Sequence, residues 1–176
     1  MINRINIDIF KETIEKAKKE PSSSLKNLEI EGTWRLDKQE GPQFETKLKT
    51  EKAGEILVQS DETIILGGGG AAPNPVQYCI GGLLACYSAT FVKWASMEGI
   101  LLKDFKIRGT AKIDLSAALG ISENPPINDL RIELIIESEE TMEKLLAINE
   151  IAKKSCPGYY CLTHGIIPQI DITMTE

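Results

Sequence analysis

The sequence predicts an α+β fold in which two groups of antiparallel strands are separated by one long helix. Three features point there. Apolar residues alternate at period two over residues 28–66, and again around 103–114 and 129–137. They recur at helical spacing over residues 7–19 and 140–154. Between the strand groups, residues 74–99 form a long, sparsely charged segment opened by Asn74-Pro75. At 176 residues the chain has the usual size of one domain, expected as an N-terminal helical extension (1–25) and a compact unit (26–176).

In chain order, Ile7, Phe10, Ile14 and Ala17 make a short amphipathic helix that Pro21 and the serines at 22–24 end. Lys16, Lys18 and Lys19, interrupted by Glu15 and Glu20, read as its solvated face. Leu28, Ile30, Gly32, Trp34 and Leu36 then share one side of a strand. Phe44, Thr46 and Leu48 repeat the pattern after the turn signal Gly41-Pro42, and Ile56–Val58 and Ile64–Leu66 suggest two further short strands. The run Gly67–Gly70 breaks this meander. It lacks the lysine and hydroxyl of a phosphate loop and does not have the dinucleotide spacing, so it is read as a turn into the helix under crowding.

The helix over 74–99 has almost no charge between Tyr78 and Val92, so most of its sides should meet protein. Gly81, Gly82, Ala85 and Ala89 would let a second helix approach closely. Strands are expected around 103–114 and 129–137, a helix over 140–154, and a closing edge strand over Gln169–Thr175.

Net charge is −6, with 20 basic residues against 26 acidic ones and no concentrated basic surface, which argues against nucleic-acid binding. The apolar segment Tyr78–Val92 is shorter than a membrane span, and the amino terminus has no secretory pattern. A cytoplasmic protein without membrane partners is the expectation. Four cysteines are too few for a disulfide scaffold, so they are expected reduced and available for chemistry.

Cys79 and Cys86 lie two turns apart on one helix, and Cys79 reads as a core residue. Cys156 closes the later helix and Pro157 stops it, which restricts where the sulfur points. If the two helices pack, Cys86 and Cys156 come within disulfide reach. The helix dipole disfavours a thiolate at a carboxyl terminus, so Cys86 takes the role of attacking thiolate and Cys156 that of resolving thiol. Such a pair can reduce a peroxide through a sulfenic acid that condenses with the second thiol.

Two segments, NPVQYCIGGLLACYSATF at 74–91 and CPGY at 156–159, resemble the OsmC/Ohr family of osmotically inducible and organic hydroperoxide resistance proteins. Its members typically open a central helix with Asn-Pro and carry a reactive cysteine eleven residues after that proline, as Pro75 and Cys86 do. The second cysteine precedes proline after a helix, as Cys156 does. The order of elements is similar over about residues 26–175. The resemblance implies an OsmC-like intertwined homodimer whose sheets wrap paired central helices. It also implies reduction of organic hydroperoxides, with electrons from a dithiol or lipoylated-protein reductant, and an arginine near the thiolate, for which Arg35 is the nearest candidate. Neither cofactor nor metal is expected.

Val76 stands where peroxidatic members typically place a glutamate that positions the arginine. A second class therefore stays open: a non-redox small-molecule-binding or structural dimer that retains the fold. Cys156, Cys161 and His164, with or without Cys86, offer soft ligands for a metal as a third. His164 otherwise reads as a loop residue, and Trp34 and Trp94 as core or interface residues.

Overall fold

Among residues 1–174, which the computed structural model describes, the chain runs α1 (Ile7–Lys19), β1 (Gly32–Trp34), β2 (Phe44–Thr50), β3 (Gly54–Ser60), α2 (Pro75–Met97), β4 (Leu102–Ile113), β5 (Ile127–Ser138), α3 (Met142–Ser155) and α4 (Pro157–Thr163). It divides into two compact units, one of Asp8–Gly81 and one of Met1–Ile7 together with the chain from Gly82 on.

In the first unit β1, β2 and β3 form an antiparallel sheet with Trp34 opposite Phe44 and Leu48 opposite Ile56. β1 is much shorter than the expected strand over 28–36. Beyond Trp34 the chain turns, with Leu36 N–H donating to Trp34 O, and Leu28 and Leu36 are left exposed. Ile64–Leu66 is a 3-10 turn, not a strand. Leu66 N–H donates to Thr63 O and Gly67 N–H to Ile64 O, and Gly67, at φ +89°, closes the turn.

The glycine run then folds back on residues 61–63. Gly68 N–H donates to Thr63 O (3.0 Å), Gly70 N–H to Glu62 O (3.2 Å) and Ala71 N–H to the buried carboxylate of Asp61 (2.8 Å). A Cβ on Gly68 would lie 2.1 Å from Glu62 O, so glycine is required by contact. These amides are used internally, as the crowding interpretation expects. The loop delivers the chain to α2, where Asn74 and Gln77 bond reciprocally through side chain and backbone N–H at 2.9 Å each.

In the second unit, α2 buries Leu83, Tyr87, Phe91 and Ala95, spaced four apart on one stripe. Phe91 is fully buried with its ring 5.5 Å from that of Phe105. Burying such a side chain contributes about 1.5–3 kcal/mol. β4 and β5 form a long antiparallel hairpin in which Phe105 faces Ile136 and Ile107 faces Leu134. Thr141 caps α3, accepting from Lys144 N–H, and α3 adds Ile148 and Ala152 to the same core. α2 is long and apolar enough, by length and composition, to cross a membrane; its Leu83–Ala95 stripe is buried in protein, as in a core helix.

The segment Gln169–Met174 is not a strand: it has no regular structure, and Ile170, Ile172 and Met174 are more than four-fifths exposed. Alternation alone does not make a strand, because the ladder needs a partner edge, and no described strand pairs with it. Thr175, the end of the expected strand, lies outside the described residues.

Candidate active site

Cys86 and Cys156 meet. Their sulfurs stand 3.5 Å apart across 70 residues of chain, both cysteines are free, and the Cys156 thiol donates to the Cys86 sulfur. Cys86 is partly exposed, whereas Cys156 is buried in the core with Tyr87, Phe91 and Ile148.

The local fold at Cys156 differs from expectation. Cys156 N–H donates to Ala152 O (2.9 Å), the last bond of α3, while its sulfur accepts from Tyr159 N–H (3.4 Å) and caps α4. Pro157 ends α3 and also occupies the first position of α4, where a missing N–H costs nothing and the fixed φ suits a helix. Cys156 is therefore not only the end of α3, as expected, but also the cap of α4, its sulfur accepting one backbone N–H of the following helix. The signal was present in the sequence, since a capping residue followed by proline marks a helix start as well as a stop.

Burial pushes the Cys86 thiol above its ordinary value, and the adjacent Cys156 adds to this, while the Gly158 N–H and the Lys93 charge act in the opposite direction. Gly158 and Lys93 were not among the sequence candidates. Neither was Tyr87, which donates to Asn149 Oδ1 at 2.8 Å and packs 5.7 Å from the Tyr159 ring. Burial first, then the neighbouring Tyr159, Cys156 and Glu150, push its phenol up to about 12, so it remains a donor at neutral pH. A cavity of about 470 Å³ shares Leu83, Tyr87 and Tyr159 with the surroundings of the thiols, and Asn149 and Lys153 also line it.

Arg35 lies in the Asp8–Gly81 unit, just after β1. Its guanidinium is held by both oxygens of Asp37 (2.8 and 2.7 Å) and by Glu45 (2.7 Å). These bonds raise the arginine further above its ordinary value, and its own grip holds the Asp37 carboxyl down at about 2. Val76 is partly exposed, and Gln77 is committed to the Asn74 cap.

Cys79 and Cys161 are exposed, so Cys79 is not a core residue as expected. His164 stacks on Tyr160 at 4.0 Å, with its Nδ1 3.0 Å from Thr163 Oγ1. Among the described residues no group of three or more His, Cys, Asp or Glu is arranged to hold a metal ion.

A two-sulfur site of this kind can cycle between dithiol and disulfide, a two-electron change that needs no other centre. The OsmC family model, described as OsmC-like protein, matches residues 67–171. No curated protein matches the chain. Among solved structures, the chain is similar to an OsmC-like protein from Mycoplasma pneumoniae, with TM-score 0.55, 16% identity, and coverage of 80% of this chain and 89% of that one. It is also similar to the OsmC organic hydroperoxide resistance protein of Legionella pneumophila, with TM-score 0.54, 16% identity and coverage of 80% and 93%. A third similar structure is a Vibrio cholerae protein named for organic hydroperoxide resistance, with captopril in one of its active sites (TM-score 0.55, 18% identity, coverage 81% and 89%). At these identities the likeness establishes an α+β OsmC-like fold.

Proposed function

The chain belongs to the OsmC-like protein family, and on that premise we propose that it reduces organic hydroperoxides with Cys86 as the attacking thiolate and Cys156 as the resolving thiol. The observation that carries this is the 3.5 Å approach of two free sulfurs. The more exposed sulfur is the more accessible to a peroxide, which supports Cys86 as the attacking group. Its thiolate takes the terminal peroxide oxygen as the O–O bond breaks; the alkoxide leaves and is protonated to the alcohol, and Cys86 becomes a sulfenic acid. The Cys156 sulfur then attacks Cys86, the S–S bond forms and the oxygen departs as water. An external dithiol, such as a lipoylated protein, restores both thiols by exchange and is itself oxidised to a disulfide.

Arg35 remains the family-derived cation for this reaction. A homodimer is part of the proposal. A Cβ at Gly81 or Gly82 would meet nothing within 4 Å, and Ala85 and Ala89 are exposed, so α2 keeps one open face of small residues. A cytoplasmic setting, where thiols are kept reduced, suits this chemistry.

The test is peptide mass spectrometry after one equivalent of an alkyl hydroperoxide. The expected product is a Cys86–Cys156 disulfide with one alcohol released; Cys156→Ser should instead trap a sulfenic acid at Cys86. Peroxide consumption by Cys86→Ser equal to wild type would sink the assignment. A second reading, a non-redox small-molecule binder, is favoured by an apolar cavity of about 410 Å³ lined by Trp34, Phe44, Leu48, Val58 and Tyr78. It predicts ligand binding that survives the loss of both cysteines.

A further inference from the structure

Gly158, in the first turn of α4, lies directly against Cys86. A Cβ built there would stand 3.2 Å from Cys86 Cβ, 3.4 Å from its sulfur and 3.7 Å from Leu83 Cδ1. Its φ is not positive, so the backbone conformation does not call for glycine, and alanine is the better helix former. What the missing side chain permits is approach. The Gly158 backbone thus lies against Cys86, where its N–H acts to lower the thiol, the next N–H, from Tyr159, donates to the Cys156 sulfur at 3.4 Å, and the two sulfurs are held 3.5 Å apart.

We propose that Gly158 is a positioning residue for the thiol pair: by carrying no side chain it lets its backbone N–H approach Cys86 and stabilise the thiolate alongside the Lys93 charge. This rests on the peroxide-reducing function proposed above. The titratable groups acting on Cys86 are Cys156, from the α3–α4 junction, and Lys93, from its own helix; Cys156 in turn faces Tyr87. Glycolic acid at Gly158 leaves all of these groups in place, so the effect of the N–H can be read separately from theirs.

The experiment measures site-resolved alkylation of Cys86 by iodoacetamide against pH in the full-length, reduced protein. Cys79→Ser and Cys161→Ser remove the exposed thiols. Gly158→Ala pushes the N–H away from the sulfur, and glycolic acid in place of Gly158 deletes the N–H without adding an atom. With either change the midpoint should rise by about one pH unit, about a tenfold loss of thiolate at neutral pH. The melting temperature of the alanine variant should stay near that of wild type. An unchanged midpoint in both, or in the glycolic variant alone where Gly158→Ala does not fold, overturns the role. Failure of the wild type to consume peroxide would refute the reaction and leave this titration readable. An unmoved midpoint would refute Gly158's role and leave the disulfide assay standing.

Discussion

Asn3 should matter to stability far more than a residue so close to the amino terminus usually does. Its side chain donates to Ser96 Oγ (3.0 Å) and Ile100 O (2.8 Å) and accepts from Leu102 N–H (3.0 Å). It therefore ties the first residues to the end of α2 and the start of β4. It also holds φ +48°, which asparagine tolerates better than most residues. Each of the three bonds contributes about 1 kcal/mol net, and left-handed backbone costs alanine about 1 kcal/mol more, so Asn3→Ala should lose about 4 kcal/mol. For a chain of this length that is roughly an 8–16 °C drop in melting temperature. The assay is thermal unfolding followed by circular dichroism at fixed protein concentration. Asn3→Gly keeps the backbone freedom and loses only the bonds, so it should fall by somewhat less. An Asn3→Ala melt within about 2 °C of wild type would refute the claim that this side chain staples the terminus.

Two further outcomes follow from contacts and charge. Gly68→Ala forces a Cβ to 2.1 Å from Glu62 O, so the loop must open and lose its bonds to residues 62 and 63; a loss of at least about 2 kcal/mol in urea unfolding is expected, and a neutral result would contradict the crowding. The Cys86 thiol is held above its ordinary value of 9.0, so the native protein keeps a proton that the unfolded chain releases. That contribution is fully present below pH 9.0 and is lost as pH rises through the native value. Wild type should thus lose more stability than Cys86→Ser on going from about pH 8 to about pH 10.5, and parallel losses in the two proteins would remove the basis for the shift.

Periodicity was most informative where one chain segment decides its own structure. α1 ends where the pattern over 7–19 ends, and α2 and the β4–β5 hairpin lie close to their expected spans. It failed where a second segment decides. Ile64–Leu66 alternates like a strand but is folded into a 3-10 turn by the positive-φ glycine after it. Gln169–Met174 has the pattern without a described partner edge. The cysteines were legible as candidates because Cys-Pro limits where a sulfur can point, while their 3.5 Å approach depends on packing between elements 70 residues apart. α4 was missed because Pro157 was read only as a stop.

The remaining question at the site is what holds a negative charge on sulfur. Two carboxylates grip the Arg35 guanidinium, which leaves that group of three net negative, and Val76 carries no charge. Burial outweighs the Gly158 N–H and Lys93 at Cys86, since the net direction is upward. A higher thiol value is not a pure loss. Each unit removes about nine-tenths of the thiolate at neutral pH but makes what remains roughly threefold more nucleophilic. The net cost in rate is therefore about three- to fourfold per unit, not tenfold. A partly buried thiol with a raised value can thus still attack an activated O–O bond, with a rate that climbs with pH beyond neutrality. An arginine-assisted thiolate would already be ionised there, and its rate would be flat.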